Sequence, residues 1–464
     1  MLFLPIPTRN RLLYVSKVIS AYKNSKCKRR RTLLKKQKEL ICTYLSLWRV
    51  YVVMLAKWVS LSLLIGVISG VLGTIFHVGV ETATQLRTAN PWMLWLLPLA
   101  GLLIVAIYRI TRTEGQGTND IFNQVHQGDR ISLFLLPAIF FSTILTHLCG
   151  GSAGREGAAL QMGGTIGFHT GRLFHLDDRD LRTVTMTGMA AFFSALFGTP
   201  VAAALFAVMV VSVGQIYHAN YLPSLGASIV SYGVSLILGV APTRFSVISP
   251  ALDAWMLLRV SILGMGCGLI SILFCTAVHG AEHGFKKFVP NPWIRILVGG
   301  FAIILLTIIC HTTRYNGAGM DVISAAVEQG QALPFDFLWK ILFTAITLGA
   351  GFKGGEVVPS FFIGAVFGCA IGPLLGIPAG FAAAIGLVTV FCGAANCPIA
   401  ATALAVELFG ADGLVYFALA CAVGNLFSGY QGLYSSQTIL YSKWKARYIH
   451  IQANEHVETP SSQL

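Results

Sequence analysis

From about residue 57 to residue 449 the chain is a succession of apolar runs, interrupted by glycine, proline and short polar clusters. The runs are long and lack the alternation of barrel strands, so they predict helices. The pattern predicts helices over 57–86, 91–112, 117–127, 131–149, 155–174, 180–195, 200–213, 221–239, 254–286, 292–311, 319–330, 335–349, 356–375, 380–394, 398–409, 413–428 and 433–449. Several are shorter than the ~20 residues that cross a bilayer. Broken helices at membrane depth persist only where they line a cavity or are buried in protein.

The apolar pattern repeats. Gly188-Met-Ala-Ala-Phe-Phe-Ser-Ala-Leu-Phe-Gly-Thr-Pro200 resembles Gly386-Leu-Val-Thr-Val-Phe-Cys-Gly-Ala-Ala-Asn-Cys-Pro398, an offset of 198 residues (386 − 188). The same offset joins Gly66 to Gly264, Gly70 to Gly268 and Phe76 to Phe274. It also joins Gly151-x-x-x-Arg155-x-Gly157 to Gly349-x-x-x-Lys353-x-Gly355, which gives Lys353 the place of Arg155. Asn90-Pro-Trp92 recurs as Asn291-Pro-Trp293 at 201 (291 − 90). Anchors this consistent indicate a duplicated unit. In transporters, paired discontinuous helices mark a midplane site at the repeat interface.

Composition fixes the class. Hydrophobic residues make up 55% of the chain and charged residues 11%, against about 25% charged in soluble domains. The chain therefore reads as a polytopic membrane protein. The net charge of +14 is uneven: residues 1–49 carry thirteen Lys and Arg and one acid, Glu39, which leaves only +2 elsewhere (14 − 12). The run Lys26-Cys-Lys-Arg-Arg-Arg31 could suggest nucleic acid. Beside a first membrane helix it reads instead as a positive-inside, cytoplasmic flank touching anionic lipid. It could alternatively precede a functional start nearer Met54. The opening residues, Met1 to Pro7, are too short and proline-rich for a signal-peptide core. The ten cysteines show no metal or disulfide spacing and read as packing residues. No nucleotide loop, metal set or nucleophile motif points to an enzyme, and no cofactor is implied.

The chemistry concentrates at Gly150-Gly-Ser-Ala-Gly-Arg-Glu-Gly157. An ionised side chain at mid-bilayer costs roughly 2.5–3.5 kcal/mol, so Arg155 and Glu156 need a pathway or a partner. Glycines leave backbone N–H groups uncovered where a helix begins, and a helix start favours anions. Glu156 is thus a tethered anion at an anion site. An ion pair with Arg155 is the simpler alternative, but adjacent helical residues do not face each other.

These residues resemble the CLC family of chloride channels and anion/proton exchangers. Gly154-Arg-Glu-Gly-Ala158 is similar to its GREGP motif, with alanine for proline. Gly355-Glu-Val-Val-Pro359 is similar to its GxFxP motif, with Val357 for phenylalanine. Gly115-Gln-Gly-Thr-Asn119 stands where the family has GSGIP, and Leu433-Tyr-Ser435 matches the segment of its pore tyrosine. Order and spacing agree from about 57 to 449. The resemblance implies an all-α membrane protein with a CLC-type fold: two inverted-topology repeats of broken, tilted helices around a midplane anion site. It implies a homodimer with one pathway per subunit. It divides the chain into a basic cytoplasmic segment (1–56), two membrane repeats (57–250 and 251–449) and a tail (450–464).

The resemblance also assigns roles. Glu156 is the gating and proton-carrying glutamate. The N–H groups of Glu356 and Val357 are anion donors, with Gly157 and Gly117 beside them. The Tyr434 hydroxyl is an inner donor, and Gln116 replaces the family's serine. Glu356 is similar to a glutamate of the fluoride-exporting branch and adds a second protonatable group; that branch has threonine where this chain has Val358. The expected function is fluoride/proton antiport in a bacterial inner membrane, with fluoride and protons as partners. The alternative is a chloride channel or chloride/proton exchanger. Pro200 to Val211 lacks the inner acid of many chloride exchangers. Glu407 and the histidines at 147, 169 and 279 read as structural, Lys353 as scaffold at the mouth, and Tyr430 as rim.

Overall fold

The computed structural model describes residues 8–445 and 447–454. They fall into two units, Met1–Ser60 and Leu61–Leu464. In the first, the described residues are helical and belong to α1 (Thr8–Ala89); the residues before Thr8 lie outside the description.

In the second unit α1 is followed by α2 (Leu97–Ile110), α3 (Thr118–Gln127), α4 (Leu135–Leu148), α5 (Glu156–Leu173), α6 (Asp178–Phe197), α7 (Pro200–Met209) and α8 (His218–Ile237). Then come α9 (Ala254–Phe288), α10 (Pro292–Cys310), α11 (Met320–Glu328), α12 (Asp336–Ala350), α13 (Val357–Ile371), α14 (Ala379–Ala395), α15 (Pro398–Phe409) and α16 (Leu414–Phe427). The helices α2 to α7 and α10 to α15 correspond one to one, which is the duplication read from the sequence. Five helical stretches, Lys35–Ala89, Pro91–Ile110, Ala254–Phe288, Pro292–Cys310 and Val357–Leu375, are long and apolar enough to cross a membrane. The shorter ones are broken where the sequence places Gly or Pro. Pro200 and Pro398 open α7 and α15, where a missing N–H costs nothing.

The core is packed through glycine. A Cβ at Gly163 of α5 would strike the Gly188 carbonyl of α6, and one at Gly364 of α13 would strike the Gly386 carbonyl of α14. These matching contacts correct the expected register. Gly163 and Gly364 differ by 201 (364 − 163), whereas Gly188 and Gly386 differ by 198. Gly154 and Gly355, also 201 apart (355 − 154), pair directly as an antiparallel bridge. Arg155 therefore corresponds to Glu356, not to Lys353. Gly364 and Gly386 are three residues closer along the chain than Gly163 and Gly188, which returns the offset to 198.

The predicted helix over 433–449 is also overturned. Thr438–Tyr441 (β2) and Tyr448–Gln452 (β3) are strands joined by a polar turn. With Ser212–Val213 (β1) they form a sheet in the order β1-β2-β3, parallel then antiparallel. The β-branched and aromatic content of Thr-Ile-Leu-Tyr and Tyr-Ile-His-Ile favours the pleated form, and Ile439 fills the small core beneath it. β3 reaches into the expected tail; residues after Asn454 lie outside the description.

Glu407 links the repeats as a cap. Its two oxygens accept from the N–H groups of Val201 (3.0 Å) and Ala202 (2.8 Å), the first turn of α7. Removing it as Glu407→Ala is expected to lower stability by about 2 kcal/mol. Thermal unfolding in detergent, compared with Glu407→Gln, checks this; unchanged unfolding would mean water caps α7 equally well.

Candidate anion site

Two helix starts converge. Gly154 N donates to Gly355 O (2.7 Å) and Gly355 N to Gly154 O (2.8 Å). α5 begins two residues after the first glycine and α13 two after the second. Both glycines are required by proximity: a Cβ at Gly355 would fall on the N–H groups of Glu156 and Gly157. The positive ends of two helix dipoles therefore meet in one place. His147, fully buried on α4, supports the bridge by donating from Nε2 to Gly154 O at 3.2 Å.

The Glu156 carboxylate lies in this junction. Its Oε2 accepts from Arg155 N (3.0 Å) and, across the repeats, from Val358 N (3.2 Å). The side chain has no exposure, and Oε1 has no partner among the described residues. Arg155 turns its guanidinium to Leu196 O (3.4 Å) and the Phe197 ring, so the simple ion pair is not the arrangement found.

Glu356 stands at the N-cap position of α13 without a side-chain capping bond, and a Cβ at Gly157 would lie 3.2 Å from its Oε2. That oxygen also lacks a partner. Val357 and Val358 form the first turn of α13, and the donor that reaches Glu156 is the N–H of Val358, one residue beyond the pair expected.

Tyr434 is 2% exposed, its ring edge set against Phe122 of α3 at 5.0 Å, and its hydroxyl is unpartnered. Asn119 fastens this segment to the start of α3: its Nδ2 donates to Ser435 Oγ (3.0 Å) and its Oδ1 accepts from Ser436 N (3.1 Å). Gln116 precedes α3 with Oε1 buried and unpartnered. Gly117 is a correction: its N–H donates to Asp120 Oδ2 at 2.8 Å, so it is not free for an anion. Tyr430 is occupied as well, its hydroxyl lying 2.7 Å from Ser442 Oγ.

Four of the expected residues thus share one property. Glu156, Glu356, Gln116 and Tyr434 each hold a buried polar atom without a partner among the described residues. Leaving such an atom without a partner costs about 1–3 kcal/mol, and a ligand or water that reaches it removes that cost. Cavities approach from both repeats. One, of about 470 Å³, reaches Glu156 between Arg87, His147, Arg155, Asp321 and Val358. The other, of about 370 Å³, ends at Gly115 and Lys353, with Tyr108, Glu282 and Arg295 in its walls. The first is built from the end of α1 and the segment before α11. The second uses the end of α9 and the segment before α3, the same elements with the repeats exchanged. Lys353 stands over the Tyr108 ring at 4.2 Å, in the wall of the second cavity.

The profile of the voltage gated chloride channel family matches residues 100–429. The chain belongs to that family. A relative from Pseudomonas syringae pv. tomato, called a chloride/fluoride channel protein, is 36% identical over 84% of this chain and 88% of its own. The H(+)/Cl(-) exchange transporter ClcA of Vibrio cholerae is 27% identical over 75% of this chain and 81% of its own. Among solved structures, a CLC-type fluoride/proton antiporter superposes with a TM-score of 0.80 at 33% identity, covering 83% of this chain and 98% of that one. A slow cyanobacterial Cl-/H+ antiporter, at 19% identity and a TM-score of 0.68, shares the fold. The protein is an integral membrane protein of the CLC fold.

The structure places Glu156 and Glu356 at the junction and Tyr434 beside Phe122, and shows side chains that hold these segments in place. His147, a structural histidine as expected, is satisfied by Gly154 O and supports the Gly154–Gly355 bridge. Asn119 was visible within Gly115-Gln-Gly-Thr-Asn119, but nothing local tied it to residues 435 and 436.

Proposed function

We propose that this protein carries fluoride out of the cell in exchange for protons. The observation that carries the reading is the pairing at the junction. One buried carboxylate, Glu156, occupies the converging helix starts, and a second, Glu356, lies beside it with an unpartnered oxygen. A carboxylate held by N–H donors competes with an anion while ionised and loses that attraction once protonated. Anion entry and proton uptake are thereby alternatives at one place. The similarity to a fluoride/proton antiporter supports fluoride as the ion.

Glu156 and Glu356 are then the proton-handling groups. The N–H groups of Gly157, Val357 and Val358, the Gln116 amide and the Tyr434 hydroxyl receive the anion. The protein works as a homodimer in a bacterial inner membrane, with its basic segment on the cytoplasmic side against anionic lipid, as the excess of Lys and Arg over residues 1–49 supports. It is a transporter and not an enzyme.

A second reading, a chloride channel or chloride/proton exchanger, is favoured by Val358, which stands where the fluoride-exporting branch has threonine. Purified protein in liposomes separates the two. With matched gradients, a fluoride electrode, a chloride electrode and a pH-sensitive dye are expected to report fluoride efflux with opposite proton movement and a chloride flux at least tenfold smaller. Anion flux without proton movement would favour the channel.

A further inference from the structure

Gly198 and Asn396 hold the same place in the two repeats, ending α6 and α14 in the left-handed region with φ of +68° and +56°. Glycine adopts this conformation freely, whereas a residue with a side chain incurs about 1–2 kcal/mol, tolerated best by Asn and Asp. The asparagine is kept against that cost, and its amide is in full use. It is 1% exposed. Nδ2 donates to Gln431 O (3.0 Å) and Gln437 Oε1 (2.9 Å), and Oδ1 accepts from Lys443 Nζ (2.5 Å).

The two neighbours extend the grip. Gln437, fully buried, donates from Nε2 to Val210 O just beyond α7 (2.6 Å) and to Ala395 O at the end of α14 (2.9 Å). Its backbone N–H donates to Tyr434 O at 3.1 Å. Lys443 donates further to Asn425 O (3.0 Å) and Ser428 Oγ (2.9 Å) at the end of α16. Leu433 N donates to Ala394 O at 2.9 Å. Asn396 therefore bonds both flanks of the turn 431–437, with Tyr434 between them. In the first repeat Gly198 brings no amide to the corresponding place.

We infer that Asn396 is a positioning residue for transport: its amide, braced by Lys443, holds Gln431 and Gln437 and so aims the Tyr434 hydroxyl. The inference rests on the reading of Tyr434 as an anion donor. It concerns what fixes that donor, in a segment that is a turn and a strand and not the expected helix.

Asn396→Gly is the direct test, because glycine suits the left-handed backbone and only the amide is lost. In liposomes the half-saturating fluoride concentration is expected to rise about tenfold, the effect of misplacing one hydrogen bond to an anion. The thermal unfolding temperature in detergent is expected to fall by only a few degrees, because the buried partners of the amide lose a hydrogen bond while the left-handed backbone is relieved. Tyr434→Phe is expected to give a similar rise, and the double variant no more than Tyr434→Phe alone, as coupled residues do. Asn396→Asp keeps an oxygen for Lys443 but sets it against Gln437 Oε1. It should behave like the glycine variant; wild-type affinity in Asn396→Asp would mean that Lys443 alone matters, overturning the inference. Wild-type affinity in Asn396→Gly beside an altered Tyr434→Phe overturns it, as does an Asn396→Gly protein that cannot fold. No effect of Tyr434→Phe would instead remove the reading of Tyr434 as a donor, on which the inference stands.

Discussion

Replacing Glu156 by glutamine is expected to abolish proton coupling. Glutamine keeps the size of the side chain and an oxygen that can accept from Val358 N, so the junction of α5 and α13 remains filled. It cannot take up or release a proton at physiological pH. Transport that needs Glu156 to alternate between an ionised, site-filling form and a neutral, departing form then loses its proton limb. Anion flux follows whichever state the neutral amide prefers. If the amide leaves the two N–H donors, passive anion flow rises; if it stays, flow falls by about ten- to a hundredfold, the range for hydrogen bonds of roughly 1.5–3 kcal/mol. Either way the ratio of protons to anions goes to zero in a liposome assay with a fluoride electrode and a pH dye. Normal proton-coupled transport by Glu156→Gln would remove Glu156 from the mechanism.

Glu156 was legible in the sequence because its cost is local: a charge in an apolar, glycine-flanked run needs a reason whatever surrounds it. The donors that receive it were less legible. Val358 N–H reaches Glu156 where Gly154 pairs with Gly355, about two hundred residues away, and Gly163 and Gly364 share the register of that pairing. A single offset of 198 matched Arg155 to Lys353, because that offset holds at Phe76/Phe274 and at Gly188/Gly386 and only the stretch between them runs at 201. The C-terminal error has a similar origin. Residues 433–449 are apolar enough for a helix, and only the distant Ser212–Val213 offers β2 a parallel partner. Gly117 fits an anion loop by composition, yet its N–H is engaged by Asp120 three residues on, a choice between capping and ligand binding that spacing does not decide. Gly and Pro fixed the broken helices well, because their effect is on the backbone itself.

The second large effect is expected at Glu356. Fluoride is small and strongly hydrated, so a site must replace its water with several close donors. The N–H groups at the starts of α5 and α13, the Gln116 amide and the Tyr434 hydroxyl offer such a set. A neutral Glu356 adds an O–H donor, while its ionised form repels anions, so occupancy by fluoride becomes tied to a proton. Its Oε2 is buried, unpartnered and set against Gly157, on the α5 side of the junction. Glu356→Ala removes both the donor and the proton carrier, and is expected to reduce fluoride transport at least tenfold. Val358→Thr is expected to be tolerated within a few-fold. The N–H that holds Glu156 is retained, and a helical threonine hydroxyl can bond a carbonyl three or four residues earlier. Fluoride and chloride fluxes measured side by side in matched gradients check both variants against the parent. If Glu356→Ala transports fluoride as well as the parent, Glu356 is only a helix-start acid that complements the dipole of α13. If the parent itself moves chloride as fast as fluoride, the second carboxylate does not select the ion and the protein is a chloride transporter on the same fold.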